Sequence, residues 1–582
     1  MHVFKVWAPK VAKVAVQAGG EVFAMAGPDE SGWWKVCVES AKPGCDYGFL
    51  LDDDPSPYPD PRSPWQPHGV HGLSRLYDHA AFAWHDQRWQ APPLASAVMY
   101  ELHIGTFTVD GSFDSATERL DYLFELGITH IEVMPVAAFP GDRGWGYDGV
   151  ALFAVTDNYG GPDGLKRFVD ACHVRGLAVI LDVVYNHFGP VGNYAGRFAP
   201  YLTDRHRTPW GDAVNFEGPG SDETRRFFCD NALMWMKDYH IDGLRLDAVH
   251  EFVDRSAIHF LEQLSAEVEV QADTLGGRFV LIAESDLNDP RVVRPREAGG
   301  YGMDAQWSDD FHHALFTLLH VEGEGKGYYH DFGSFEKLVK SLTHVFVYDG
   351  EFSRFRNRRH GRPVEGLSGH HFVGFIQNHD QVGNRATGER LEHIVGPDKA
   401  RVAAGLVLTA PFVPLLFQGE EYAADTSFLY FADHEDPEMA RAVSAGRKRE
   451  FAAFGFDGDQ IPDPEKRETF ERSKQNWDEL AEPAQTAMLE WFRRLIHFRR
   501  SSPSLNDGDL GHTIVRFDEK ARWLSMRRGR VEVLCNLGDE PASFDVPEGF
   551  AVALASRDGI DPVEGKLTVP GVSLAILSGE TA

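Results

Sequence analysis

The chain has 582 residues, 43% of them hydrophobic and 12% aromatic, with 57 basic against 88 acidic side chains and a formal net charge of −31. That apolar content excludes global disorder, and the length allows several domains or one large barrel with satellites. The anionic surface repels phosphate backbones and acidic lipid headgroups, so neither nucleic acid nor a membrane surface is an expected partner, whereas a neutral, hydroxyl-rich ligand is compatible with it.

Five cysteines (Cys37, Cys45, Cys172, Cys229 and Cys535) form no CxxC pair and read as incidental thiols of a reducing compartment. The opening MHVFKVWAPK lacks a signal peptide's apolar core, and the apolar stretch 402–419 is broken by Pro411 and Pro414. A soluble, cytoplasmic protein is the expectation.

Residues 1–90 have a β texture, with short apolar segments (VAKVAVQA, WWKVCV, YGFLL) between turn-rich stretches. In WWKVCV, Trp34, Val36 and Val38 alternate with Trp33, Lys35 and Cys37. The proline-dense run 55–67 suits neither a central strand nor a helix interior. This region is expected to be a small β-sandwich.

Over residues 91–505 the rhythm becomes strand, loop, helix. AVMYELHI, THIEVMPV, AVILDVV, GLRLDAV, FVLIAES, MDAQW, HFVGFIQN and VPLLFQ are apolar runs, with helical periodicity between most of them. Eight such runs predict a closed (β/α)8 barrel, and no glycine-rich phosphate fingerprint follows the first. A charged, partly helical insertion is expected around 421–480, and β texture returns over 506–582 as a C-terminal β-sandwich. The fold class is therefore multidomain α/β: a TIM barrel flanked by two β-domains.

Barrel chemistry sits at the C-terminal ends of the strands. The third run ends in Asp182, followed by Asn186 and His187. The fourth ends in Arg245 and Asp247, the fifth in Glu284, and the seventh in Asn378, His379 and Asp380. A lone acid at a strand end usually caps a helix or sits on the surface. Acids ending four separate strands mark a site instead. Carboxylates without a metal-ligand cluster or a Ser/Cys nucleophile elbow point to glycoside chemistry, which needs a proton on the departing oxygen and a stabilised oxocarbenium-like centre.

The segments DVVYNH (182–187), GLRLDAVH (243–250), IAES (282–285) and FIQNHD (375–380) resemble, in order, the four signature segments of the α-amylase superfamily of glycoside hydrolases. The resemblance implies Asp247 as nucleophile, Glu284 as general acid/base and Asp380 as the third carboxylate. It places Arg245, His187 and His379 around the cleaved sugar and Tyr147 of WGYDGV beneath it, where a core tyrosine beside a turn is the alternative. VWAPKVAKVAV resembles the sandwich preceding the barrel in branching, debranching and trehalose-releasing members. Across its length, including RAVSAGRKREFAAF and ETFERSKQNW in the insertion, the chain is most similar to the maltooligosyltrehalose trehalohydrolases. Branching enzymes carry an LSHDE-type segment where this chain has IQNHDQ.

That resemblance implies cleavage of the α-1,4 bond next to the terminal trehalose of maltooligosyltrehalose, in a step following a maltooligosyltrehalose synthase. It makes His250, Asp309, His312, His313, Gln381 and Asn384 further substrate contacts, although the HH pair also reads as a plain loop. Asn186 matches a calcium-ligating position of many amylases, but no second ligand-rich segment accompanies it. No metal and no cofactor is expected. A branching or debranching enzyme and an inactive glucan-binding scaffold are the competing readings.

Overall fold

The computed structural model describes residues 1–320, 327–452 and 457–580. The end of RAVSAGRKREFAAF, at residues 453–454, and the last two residues of the 506–582 region lie outside the described residues, as does 453–456 of the insertion.

Eight parallel strands close into a barrel in chain order: β1 Met99–Leu102, β2 His130–Val133, β3 Ala178–Val183, β4 Gly243–Leu246, β5 Val280–Ala283, β6 Ala305–Trp307, β7 Phe372–Gly374 and β8 Val413–Phe417. Each lies within one of the eight apolar runs. Seven of them are buried throughout and β5 nearly so, as strands with helices on one face and a filled barrel on the other must be. The barrel interior is layered. Met99, Ile180, Ile282, Ala305, Val373, Phe375, Val413 and Leu415 form an apolar plug. Nearer the strands' C-terminal ends, Glu101, Glu132, Asp182 and Arg245 are buried as well.

The helical periodicities become the helices Leu120–Leu126, Gly161–Val174, Ser221–Asp238 and Pro397–Thr409. One β-hairpin, Leu202–Thr208 with Gly211–Val214, was not visible in the apolar pattern because its residues are mostly polar. The insertion holds the helices Pro437–Ala452 and Arg467–Glu471, and Pro483–Ser501 closes the barrel's outer ring.

At the N-terminus, His2–Trp7 pairs with Trp33–Val38, and Val14–Ala18 is flanked by Glu21–Ala24 and Asp46–Leu51, with Ser74–Arg75 beyond the latter. Trp34 and Val38 are buried, as the alternation in WWKVCV requires. This region packs on the barrel through Trp7 against Tyr201 and Phe49 against Phe198. C-terminally, a five-stranded antiparallel sheet and a two-stranded one follow.

The connection from the N-terminal region to the barrel is fastened beneath the barrel by a buried charge cluster. His173 donates from Nδ1 to Asp86 at 2.8 Å and from Nε2 to Asp242 at 3.0 Å, while Trp89 stacks on its ring and donates to Asp242. Burial disfavours the imidazolium, but hydrogen bonds to Asp242 and Asp86 outweigh it and raise the pKa to about 9. Burial likewise pushes Asp86 up, and the imidazoles of His173 and His240 outweigh that and hold it well below the usual carboxylate range. The His173 contribution is therefore complete below pH ~6.5 and disappears as pH rises through about 9. In thermal melts between pH 6 and 10, native protein should lose up to about 3 kcal/mol more than His173→Gln, whose profile lacks this step. Parallel profiles for the two proteins would refute the clamp.

Candidate active site

Asp182 and Arg245 are register partners on β3 and β4, which sets a carboxylate beside a guanidinium inside the barrel. Arg245 is wholly buried, and its Nη1 donates to Asp182 Oδ2 at 2.9 Å and to Asp247 Oδ1 at 2.8 Å. Its Nη2 stands 3.4 Å from Glu284 Oε2, and its plane lies over Trp307, 4.2 Å from the ring centre. Asn186 donates to the other Asp247 oxygen at 3.0 Å, so both oxygens of that carboxylate accept hydrogen bonds. Immediately after Asp247 the backbone takes a left-handed conformation at Ala248 (φ 41°), and the Ala248 N–H donates to Glu284 Oε2 at 2.6 Å. Such a conformation at a residue with a Cβ is costly and persists only where the surroundings enforce it.

The opposite wall comes from the β2 and β7 loops. Tyr147 donates to Asp182 Oδ2 at 2.7 Å, lies 2.8 Å from His379 Nε2 and stacks on that imidazole. His379 Nε2 is 3.4 Å from Asp380 Oδ2, and Asn384 donates to Asp380 Oδ1 at 2.9 Å. Asn378 caps the short helix His379–Gly383 through the Gln381 N–H. Gly383 lies so close to Trp145 that a Cβ there would stand 2.1 Å from the indole, which is why the turn carries glycine. His187 is held between Asn186 Oδ1 and the Tyr147 carbonyl.

Acids outnumber cations here, and the excess governs protonation. Burial, reinforced by Asp247 and Asp380 and opposed by Arg245, raises the pKa of Glu284. Burial carries Asp182 up to about 7 against the pull of Arg245. Asp309 is pushed well above the carboxylate range by burial and then by the charges of Glu284 and Asp380. A carboxyl of raised pKa beside a doubly hydrogen-bonded carboxylate suits an acid-assisted displacement at an acetal carbon.

The expected residues divide into two groups. Asp247, Glu284, Asp380, Arg245, His187, His379 and Tyr147 converge on the cleft, with Gln381 next to Asp380 and Asn384 donating to it one turn further on. His250 lies on the turn Val249–Glu251 and acts electrostatically on Glu284. Residues 309–313 are not a loop: they open the helix Asp309–Leu319, whose first-turn acids suit a helix N-terminus. In that helix His312 stacks with Phe316 and Phe375, and His313 lies against Tyr329 and Phe332. Burial drives His312 well below the imidazole range and His313 to about 3, so both are neutral parts of an aromatic packing.

Four residues escaped the sequence reading. Glu101 and Glu132 were hidden inside apolar runs, where a carboxylate in a strand otherwise fit for burial was the signal. Trp210, at the tip of the polar hairpin, stacks on His187 with ring centres 4.7 Å apart. Arg447 of the insertion donates to the Gly383 and Arg385 carbonyls, holding the turn that follows Asp380. Among the described residues no group of three or more His, Cys, Asp or Glu side chains is arranged to hold a metal ion, and the Asn186 amide is committed to Asp247 and His187.

Removing the one guanidinium strands two buried carboxylates. Arg245→Met should cost about 3–5 kcal/mol of stability, most at alkaline pH where Asp182 has to ionise, and should abolish turnover. Thermal midpoints at pH 6 and 9 test this, and an unchanged midpoint at both would contradict it.

Residues 83–201 match the family model described as alpha amylase, catalytic domain, and residues 508–576 match a domain of unknown function (DUF3459). The chain is 48% identical to a malto-oligosyltrehalose trehalohydrolase of Rhizobium sp. (strain M-11), across 99% of this chain and 97% of that one. It is 45% identical to the Mycobacterium tuberculosis protein of the same name, across 99% of each. The solved structure of a candidate alpha amylase from Salmonella typhimurium superposes with a TM-score of 0.90 at 35% identity, covering 99% of this chain and 97% of that one. A pullulanase of Anoxybacillus sp. LM18-11, at 17% identity and a TM-score of 0.73, shares the fold. With full-length identity at this level and an intact set of signature carboxylates, the chain belongs to the malto-oligosyltrehalose trehalohydrolase family of alpha-amylase-type glycoside hydrolases.

Proposed function

We propose that this enzyme hydrolyses the α-1,4-glucosidic bond next to the terminal trehalose of maltooligosyltrehalose with retention of configuration, releasing trehalose and a maltooligosaccharide. Glu284 gives its proton to the departing trehalose oxygen as Asp247 attacks the anomeric carbon. Glu284 then takes a proton from the water that opens the glycosyl ester. Asp380 orients the distorted sugar, with Tyr147 beneath it and His187, Arg245 and His379 around it. His250, Asp309, Gln381 and Asn384 lie toward the leaving-group side, and His312 and His313 support that wall from behind. The observation that carries this reading is the shared guanidinium: one buried Arg245 holds Asp247 by a hydrogen bond and reaches Glu284, whose pKa burial raises.

The same reading takes 1–90 as an N-terminal β-sandwich, 91–505 as the catalytic barrel with its insertion around 421–480, and 506–582 as the C-terminal β-domain. It places the enzyme in the cytoplasm, after a maltooligosyltrehalose synthase, without cofactor or required metal. No helix among the described residues is long and apolar enough to cross a membrane.

Trehalose joins two glucoses through both anomeric carbons and is bent, so a site shaped for it leaves polar groups unpaired against a maltose unit. That mismatch supplies discrimination on the order of 10²–10⁵ in rate. Maltotriosyltrehalose should yield maltotriose and free trehalose, and plain maltooligosaccharides of similar length should be cut far more slowly. New α-1,6 linkages, or equal rates on both substrates, would move the enzyme to the branching or general amylase class. Asp247→Asn and Glu284→Gln should abolish turnover while leaving the fold intact, and Asp380→Asn should impair it severely. Near-native activity of Asp247→Asn would overturn the nucleophile assignment.

A further inference from the structure

Two carboxyl groups in the charged layer of the barrel have no part in the reaction as described. Glu101 on β1 and Glu132 on β2 are register partners, both wholly buried. Glu101 grips one residue twice: its Oε2 accepts the His379 backbone N–H at 2.9 Å, and its Oε1 contacts His379 Nδ1. It reaches from β1 past β8 to the residue that follows β7. On the far side of the same ring, Nε2 faces the Tyr147 hydroxyl and Asp380.

We propose that Glu101 is a positioning residue for hydrolysis: it fixes the orientation of His379 and keeps it an imidazolium, so that a cation stands permanently beside Asp380. This rests on the assignment of Asp380 as the third carboxylate of the reaction. A neutral imidazole could take either tautomer, and one tautomer would turn a lone pair toward Asp380 and the sugar. The carboxylate at Nδ1 requires a proton there, while the proton at Nε2 is kept by the charge of the surrounding acids.

The groups facing the ring come from every neighbouring element. They are Glu101 on β1 with His103 just beyond it, Glu132 on β2, Tyr147 on the following loop, Asp182 on β3, Arg245 on β4 and Asp380 beside it. Burial disfavours the imidazolium, but Asp380 and Glu101 outweigh burial and Arg245 and carry it to about 10. Glu132 behaves oppositely. Burial first, and the charge of Glu101 next, push its pKa well above the carboxylate range, and neither of its oxygens has a hydrogen-bond donor among the described residues. Of the two carboxyls, Glu101 thus accepts from His379, while Glu132 is pushed toward its neutral form, which avoids an uncompensated buried charge.

The test is Glu101→Gln, which keeps size and removes the charge. With maltotriosyltrehalose, kcat should fall about 10²-fold, the scale of a misplaced catalytic group, with KM changing much less. The alkaline limb of the kcat profile should move toward the ordinary imidazole range. In a His379→Asn background, Glu101→Gln should add neither a further loss nor a further shift, because the two act as one unit. Glu132→Gln should leave the profile where it is. If Glu101→Gln does not fold, Glu101→Asp serves: the charge is kept but withdrawn, so kcat should fall while the alkaline limb stays. A Glu101→Gln profile superimposable on the native one, or losses that multiply with His379→Asn, would overturn the proposal. A severely impaired Asp380→Asn alongside either result would show that only this inference, and not the assignment of Asp380, had failed.

Discussion

One buried guanidinium sets the chemistry of the cleft. Arg245 hydrogen-bonds Asp182 and Asp247, reaches Glu284 and lies on Trp307. A wholly buried charge is tolerable only where opposite charges and hydrogen bonds compensate its lost hydration. Those compensating groups are the very carboxylates that end the strands at the cleft. The stability of the barrel mouth and the arrangement of the reacting groups are therefore one problem with one solution.

Because carboxyls exceed cations in this layer, not every acid can be ionised at once. Burial raises the pKa of Glu284 and pushes Glu132 well above the carboxylate range, while Asp182 is carried up to about 7. Which carboxyl is pushed toward its neutral form thus depends on surroundings rather than on residue type. The apolar plug beneath matters to this balance. It keeps water out of the barrel from below, so the charges above interact in a medium of low polarisability.

Elements far from the four signature strands complete the site. The insertion docks Arg447 on the carbonyls of Gly383 and Arg385, while Phe451 and Ile461 pack on Ala386. Trp145, wedged against Gly383, joins Phe428 and Tyr430. The turn bearing Asp380 is consequently fixed from both sides. The insertion thus contacts the turn whose carboxylate, Asp380, has no hydrogen bond to Arg245 among the described residues.

The order of eight strands was legible in the sequence because a strand covered on both faces must be apolar along its whole length, and eight such runs alternated with helical periodicity. The carboxylates ending β3, β4 and β5 and following β7 were legible for a related reason: polarity begins abruptly where a buried strand meets the cleft. His312 and His313 were read as substrate contacts, with a plain loop as the alternative, whereas in the fold they lie in the first turns of a helix as neutral rings packed among aromatic side chains. Glu101 and Glu132 looked like ordinary strand residues. Their meaning depends on closure of the barrel, which brings β1 beside β8 and sets Glu101 against a histidine 278 positions away. Trp210 and Arg447 were silent for the same reason, since each acts on a partner that only the packed chain supplies. Local hydrophobic pattern thus determined which residues are strands and which acids end them. Only the closed barrel decided which acids share a cation, and hence which keep their protons, because charge coupling acts through distance in space and not along the chain.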